Sequence, residues 1–147
     1  MTKALEKKNN SNDILCIEEV IAHYRISGRH DLIWRKKINA YRILVSEIML
    51  QQTQVSRVLP KFQSWMKRYP NLIVLRTSTL QEVLILWQGL GYQRRAKSLL
   101  AIAKTVDVIP KSFDDLLLLP GIGKYTASAI CAFAYNTFSH SVLETNI

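Results

Sequence analysis

The stretch from Leu116 to Ala134 constrains the fold most, because it joins a leucine run, Pro-Gly-Ile-Gly-Lys and a helix rich in small residues. Ser112 and Asp115 form a capping-box-like start for the first helix. Pro120 stops that helix, because proline disfavours helical backbone in the residue before it. The two glycines that follow permit positive φ angles and the close approach of another segment. The sequence therefore predicts a helix-hairpin-helix unit at residues 112–134.

The same hairpin predicts a binding site for a phosphate group. The backbone amides of Gly121, Ile122 and Gly123 would point outward together, at the positive end of a helix that starts near Lys124. A helix-turn-helix corner without a ligand is the alternative. The chain carries 20 Lys and Arg residues against 11 Asp and Glu residues, which favours a polyanion as partner, with a membrane surface as its rival.

Apolar residues at helical spacing predict an all-α fold, and the sequence shows no period-two strand pattern. Residues 1–12 are polar and predict a flexible tail, and an amphipathic helix follows from Asp13 to about Ser27, where Gly28 ends it. A linker then leads to Ala40.

Four further helices are predicted between this linker and the hairpin. The first, at about 41–52, is apolar on most of its circumference and should be central and buried. The second follows Thr53 as its cap and contains Pro60, which predicts a kink or a boundary. The third opens with a capping box of Thr79 and Glu82. The fourth spans about 93–106 and is predicted to turn its basic side chains outward, namely Arg94, Arg95, Lys97 and Lys104.

Metal sites and membrane spans are not indicated. Cys16 and Cys131 each lie in an apolar helical pattern and predict buried thiols, and two thiols are too few for an iron–sulfur cluster, which needs about four. The three histidines have no partner at metal-ligand spacing. No apolar run approaches the roughly 20 residues of a membrane helix, and the first residues lack the apolar core of a secretion signal. We therefore expect a cytoplasmic protein.

Two carboxylates are isolated in the sequence. Glu47 is the only acidic residue between Leu32 and Gln81, and its neighbours at helical spacing are mostly apolar. Desolvation there would raise its pKa and make it a candidate general acid, although a distant arginine is an equally good explanation. Glu144 is the only acidic residue after Asp115. A pair of carboxylates with different pKa values is typical of glycosidic-bond cleavage, but alone Glu144 is more simply a solvated loop residue.

Three motifs, in this order and spacing, closely resemble those of the MutY adenine DNA glycosylases of the helix-hairpin-helix superfamily, which includes endonuclease III. They are Ser46-Glu-Ile-Met-Leu-Gln-Gln-Thr-Gln-Val55, Leu86-Trp-Gln-Gly-Leu-Gly-Tyr92 and Leu119-Pro-Gly-Ile-Gly-Lys-Tyr-Thr-Ala127. The resemblance runs from about residue 14 to the end of the sequence.

The resemblance implies a helix-hairpin-helix DNA glycosylase fold in two lobes, with DNA bound in the groove between them. Residues 31–147 would form a six-helix barrel that carries the hairpin and is incomplete at its C-terminus. Residues 13–30 would supply the N-terminal helix of the second lobe, which the family completes with helices further along the chain.

The resemblance also implies a chemical role for three residues. The glutamate matching Glu47 protonates the adenine base and so breaks the N-glycosidic bond. Glu144 stands where the family has an aspartate that stabilises charge on the sugar, a change that adds one methylene group. Tyr125 stands where endonuclease III has its Schiff-base lysine, which implies a monofunctional glycosylase, with the neighbouring Lys124 as a possible amine.

Five further residues match positions of the family that contact DNA. Tyr92 aligns with a tyrosine that wedges into the base stack, and Gln51 and Gln52 align with residues at the lesion or the flipped base. Trp34 and Arg35 match a pair near the adenine pocket. Core packing is the alternative for Tyr92 and Trp34.

The implied function is base excision repair of adenine mispaired with 8-oxoguanine or guanine, on double-stranded DNA and as a monomer. In a prokaryote such a protein would be associated with the nucleoid. The four cysteines of the family's [4Fe-4S] cluster and its 8-oxoguanine-reading domain would lie beyond residue 147. A thymine or uracil mismatch glycosylase, a non-catalytic DNA-binding module and a protein-interaction bundle are the alternatives.

Overall fold

The computed structural model describes residues 16–28 and 30–137, and all regular secondary structure within these two ranges is α-helical. The predicted all-α fold is therefore confirmed. The chain divides into two compact units, Met1–Leu32 and Ile33–Ile147. The predicted tail at residues 1–12, the predicted helix start at Asp13 and Glu144 lie outside the described residues.

The first unit contains helix α1, which is helical at residues 16–27. The amide of Gly28 donates to the carbonyl of Tyr24 at 2.8 Å, at the predicted end of the helix. All described side chains of α1 are exposed. The prediction of a buried thiol is therefore wrong for Cys16, which is exposed, and right for Cys131.

The second unit contains eight helices in its described part: α2 (Ile33–Lys36), α3 (Ala40–Leu50), α4 (Val55–Arg68), α5 (Leu72–Arg76), α6 (Leu80–Trp87), α7 (Arg94–Thr105), α8 (Phe113–Leu117) and α9 (Lys124–Tyr135). Helix α3 lies at the centre, in contact with α2, α4, α7 and α9. The prediction that it is buried is confirmed, since Leu44 and Val45 are fully buried and Ile48 nearly so. The small residues Ala127 and Ala129 of α9 are also fully buried, consistent with close packing against a neighbouring helix.

Aromatic side chains fill the core beside α3. The rings of Trp65 and Trp87 meet edge to face with centroids 5.6 Å apart. The indole of Trp65 donates to the hydroxyl of Tyr41 at 3.0 Å, and that hydroxyl donates to the carbonyl of Tyr69 at 2.8 Å. Burial raises the pKa of Tyr41 well above its ordinary value. The buried indole of Trp65 and the buried hydroxyl of Tyr41 are thus both hydrogen-bonded, as burial requires.

Several local predictions differ from the structure. Helix α4 continues through Pro60, which is therefore not a boundary. Thr53 does not cap α4, whose N-cap is Gln54, because the Thr53 hydroxyl donates instead toward the carbonyls of Gln51 and Leu90. The predicted linker contains α2, and α5 was not predicted. Helices of four and five residues are too short to show an apolar period.

Two other predicted helix starts are confirmed. Thr79 and Glu82 form a complete capping box, with the Thr79 amide 2.8 Å from the Glu82 carboxylate. The hydroxyl of Ser112 accepts from the amide of Asp115 at 3.3 Å and caps α8. No helix within the described ranges has the length and apolar character that crossing a membrane requires.

Candidate active site and nucleic-acid interface

Glu47 lies in the second half of α3, with only 9% of its surface exposed. Its neighbours Ser46 and Ile48 are buried to 0% and 1% exposure. Glu47 is thus a largely buried residue within the packed part of α3. Helix α3 ends at Leu50, so the glutamate is less than one turn from the segment that leaves the helix.

The segment that leaves α3 is tied to the helix after the hairpin. The side-chain amide of Gln51 donates to the Thr126 hydroxyl at 3.3 Å. Thr126 lies in the first turn of α9, directly after Tyr125, which is half-buried. The structure therefore brings the predicted residues Glu47, Gln51 and Tyr125 to two connected helix ends that are far apart in sequence.

The hairpin, which we define as residues 119–124, packs tightly on α7. Gly121 has a φ of +80°, and a Cβ atom there would lie only 2.6 Å from the Oγ atom of Ser98. Glycine is thus required at this position for two independent reasons.

Gly123 differs from Gly121 in both respects. Its φ of −97° is open to any residue, and a Cβ atom there would meet no atom within 4 Å. Gly123 is the N-cap of α9, and Lys124, the first residue of that helix, is exposed. The Cα side of Gly123 is therefore accessible to a ligand.

One detail of the predicted phosphate site is wrong. The amide of Ile122 donates to the carbonyl of Leu119 at 3.2 Å, so it belongs to the turn and does not point outward. The first α-helical bond after the hairpin runs from the Ala127 amide to the Gly123 carbonyl at 2.9 Å. The amides at the start of α9 precede this bond and can face a ligand.

A cleft of about 630 Å³ lies between two turns of the second unit. One turn is the segment 51–53 after α3, and the other is the segment 88–92 before α7. Gln52 and Tyr92 have φ angles of +54° and +44°, which are rare for residues with a side chain. Tyr92 is 57% exposed, so the core-packing alternative for this tyrosine is wrong. Both side chains line the cleft, together with Arg57.

Trp34 and Arg35 lie in α2. Trp34 is 3% exposed and packs edge to face on Phe62, with ring centroids 5.4 Å apart. The structure thus gives Trp34 a place in the core, whereas Arg35 is exposed. Their proximity to a base pocket stays a prediction.

Four residues near these features were missed or misplaced by sequence reasoning: Arg57, Arg95, Ser98 and Thr126. Arg95 is the clearest correction, because it was predicted to face outward and is 6% exposed. The helical spacing does indicate this burial, because Leu99 and Ile102 follow Arg95 at i+4 and i+7 and are both buried. Burial lowers the pKa of the Arg95 guanidinium from its ordinary value.

The sequence pattern of the HhH-GPD superfamily of base excision DNA repair proteins matches residues 45–139. The chain therefore belongs to this superfamily. The matched range contains Glu47, both turns of the cleft and the hairpin.

Relatives within this class are adenine DNA glycosylases. The chain is 42% identical over 135 residues to that of Buchnera aphidicola subsp. Baizongia pistaciae, which covers 88% of this chain and 38% of the relative. It is 47% identical over 126 residues to that of Mycolicibacterium smegmatis, covering 82% of this chain and 43% of the relative. The human enzyme is 40% identical over 133 residues, covering 81% of this chain and 24% of the relative. The resemblance seen in the motifs is confirmed, and the chain spans about two fifths of the length of these bacterial relatives.

Solved structures show the same fold. A thermostable thymine-DNA glycosylase superposes with a TM-score of 0.85 at 24% identity, over 94% of this chain and 65% of that one. Endonuclease III in a non-covalent complex with DNA superposes with a TM-score of 0.73 at 17% identity, over 86% of this chain and 60% of that one. The predicted helix-hairpin-helix glycosylase fold is thereby confirmed.

Proposed function

We propose that the chain carries the catalytic core of a base-excision-repair glycosylase that flips out adenine mispaired with 8-oxoguanine or guanine and hydrolyses its N-glycosidic bond. The observation that carries this proposal is the burial of Glu47 near the C-terminal end of α3. Gln51, directly after that end, is hydrogen-bonded to Thr126 of the hairpin helix α9. The proposed general acid and the proposed phosphate-binding hairpin would thus belong to two elements that a hydrogen bond connects. The relatives named adenine DNA glycosylase support adenine as the base.

In the proposed reaction, Glu47 donates a proton to the extruded adenine. The bonding electrons of the N-glycosidic bond leave with the base, and positive charge develops on the sugar. Glu144 would stabilise that charge, and water would attack the sugar carbon that the base has left and give its proton to the Glu47 carboxylate, which the first step leaves ionised. Tyr125 has a phenol where an amine would form a Schiff base, which supports direct hydrolysis without strand cleavage by the enzyme.

The protein would bind double-stranded DNA as a monomer, through the hairpin. The open Cα side of Gly123, the start of α9 and the charge of Lys124 form a surface for a backbone phosphate. In a prokaryotic cell such a protein would be associated with the nucleoid. The chain's two cysteines, one exposed and one buried, do not fit a [4Fe-4S] cluster, which needs about four thiolates.

The test is release of adenine from a duplex that carries one A opposite 8-oxoguanine, detected as strand scission after alkali. We expect Glu47→Gln to lower the rate by about 10²–10⁴-fold, the usual contribution of a general acid, while DNA affinity is retained. Glu19→Gln, the same change on the exposed face of α1, is the matched control and should keep the wild-type rate. Full activity in Glu47→Gln would contradict the assigned role.

The same assay on duplexes with A·G, T·G and U·G pairs identifies which base the protein releases. Release of thymine or uracil but not adenine would identify a thymine or uracil mismatch glycosylase. Salt-dependent DNA binding without any base release would identify a non-catalytic DNA-binding module.

A further inference from the structure

Arg95 is a buried cation that the proposed chemistry does not use. It is the second residue of α7, and none of the ion pairs among the described residues involves it. Its guanidinium is surrounded by acceptors of the backbone and one hydroxyl. Nη1 donates to the carbonyls of Ile48 and Met49, each at 3.1 Å, and to the carbonyl of Gln51. Nη2 donates to the carbonyl of Leu90 at 2.8 Å, the hydroxyl of Thr53 at 3.1 Å and the carbonyl of Gly91 at 3.3 Å.

These acceptors fall into two groups, one for each nitrogen. Nη1 binds the C-terminal end of α3, where carbonyls lack intrahelical partners and the helix dipole is negative. Nη2 binds the turn at 88–92 together with Thr53. A single planar guanidinium therefore joins the two turns that border the cleft, and lysine cannot reproduce this forked geometry.

Two residues with rare backbone angles directly follow acceptors of Arg95. Gln52 follows directly after an acceptor of Nη1, and Tyr92 follows directly after an acceptor of Nη2. The Tyr92 ring also packs against the guanidinium, with its centroid 5.4 Å from Cζ of Arg95. Residues with rare backbone angles keep them only when their surroundings hold them. Arg95 supplies such a contact on both sides of the cleft.

We propose that Arg95 is a positioning residue that sets the distance between the two turns, and thereby the selectivity of the cleft for a mispaired over a paired duplex. This inference rests on the proposed function for what enters the cleft. Arg95 itself lies beneath the cleft surface, so its loss should reduce selectivity and leave the affinity of the hairpin for DNA unchanged.

Arg76 provides a matched comparison within the chain. It also donates to backbone carbonyls, with Nε 2.6 Å from the Ala103 oxygen and Nη2 2.7 Å from the Val106 oxygen. These acceptors lie at the end of α7, and neither they nor Arg76 line the cleft. An arginine that only stabilises the fold should behave like Arg76.

The experiment compares Arg95→Lys with Arg76→Lys by hydrogen exchange and by DNA binding. In Arg95→Lys, we expect the amides of 51–53 and 88–92 to exchange about tenfold faster, while the remaining helices keep wild-type rates. We expect the ratio of affinities for an A·8-oxoguanine duplex and a fully paired duplex to fall about tenfold, with affinity for the paired duplex unchanged. Arg76→Lys should leave this ratio and both turns unchanged.

Faster exchange throughout Arg95→Lys with an unchanged affinity ratio would overturn the proposal, because it would show a general structural role. Wild-type exchange in both turns would overturn it as well. If Arg95→Lys does not fold, Thr53→Val tests the same junction between the turns with smaller expected shifts, because it removes one acceptor of Nη2 and the longer bond from the Thr53 hydroxyl to Leu90. A wild-type chain without preference for the mispaired duplex would overturn the proposed function, while the exchange measurement still decides whether Arg95 holds the turns.

Discussion

The hairpin and the cleft both expose backbone and polar side chains of the second unit, but they are assembled differently. The hairpin consists of six consecutive residues, and its turn is closed by a bond between Leu119 and Ile122. The cleft consists of two turns that are joined through the side chain of Arg95, and its acceptors reach 47 positions back along the chain. A local motif is thus recognisable in the sequence, whereas the cleft depends on contacts between distant segments, above all those of a buried side chain in a third element.

The largest effect on stability should follow removal of the Arg95 charge. Arg95→Met leaves the buried carbonyls of Ile48 and Met49 without this donor, and an unsatisfied buried group costs about 1–3 kcal/mol. We expect the free energy of unfolding, measured with urea, to fall by about 3 kcal/mol or more. Arg76→Met changes a more exposed side chain and should lower the free energy of unfolding by a smaller amount. An equal loss of stability in the two variants would show that the Arg95 contacts at the cleft stabilise the fold no more than the Arg76 contacts elsewhere.

An intermediate effect is expected at the first glycine of the hairpin. Gly121→Ala forces a side chain into a positive φ and against Ser98, and overpacking of this kind costs about 1–3 kcal/mol. Thermal or urea unfolding measures the loss. Ser98→Ala removes the Oγ atom from the contact and should recover part of it in the double variant. No recovery at all would show that the Oγ contact contributes nothing, and that the backbone angle and the Ser98 Cβ atom, 2.8 Å away, require glycine.

The smallest effect on stability is expected at the second glycine, and it separates folding from binding. Gly123→Ala occupies open space at an ordinary φ, so the free energy of unfolding should change by less than about 0.5 kcal/mol. The added methyl group would lie on the surface proposed for the phosphate. Affinity for duplex DNA, measured by fluorescence anisotropy, should fall about fivefold. Unchanged affinity would show that DNA does not approach this side of the hairpin.

The helices that the sequence predicts correctly are those with a long apolar period or a capping motif. Helix α3 is buried as its composition indicates, and the capping box at Thr79 begins α6 as expected. The short helices α2 and α5 give no such period. Thr53 satisfies the sequence rule for a helix cap, but its hydroxyl contacts Leu90 instead, a residue that no local rule relates to it.

The features of the candidate site also differ in whether they depend on nearby or on distant residues. The isolation of Glu47 among apolar residues, the hairpin glycines and the three family motifs are all properties of short segments, because helix periodicity and turn geometry depend on nearby residues. The sequence alone therefore identified the class of protein and its candidate acid. The bond between Gln51 and Thr126, the core position of Trp34 and the burial of Arg95 depend on which helices meet. Only the tertiary structure decided these, because a side chain of ambiguous character takes its environment from residues that are distant in sequence.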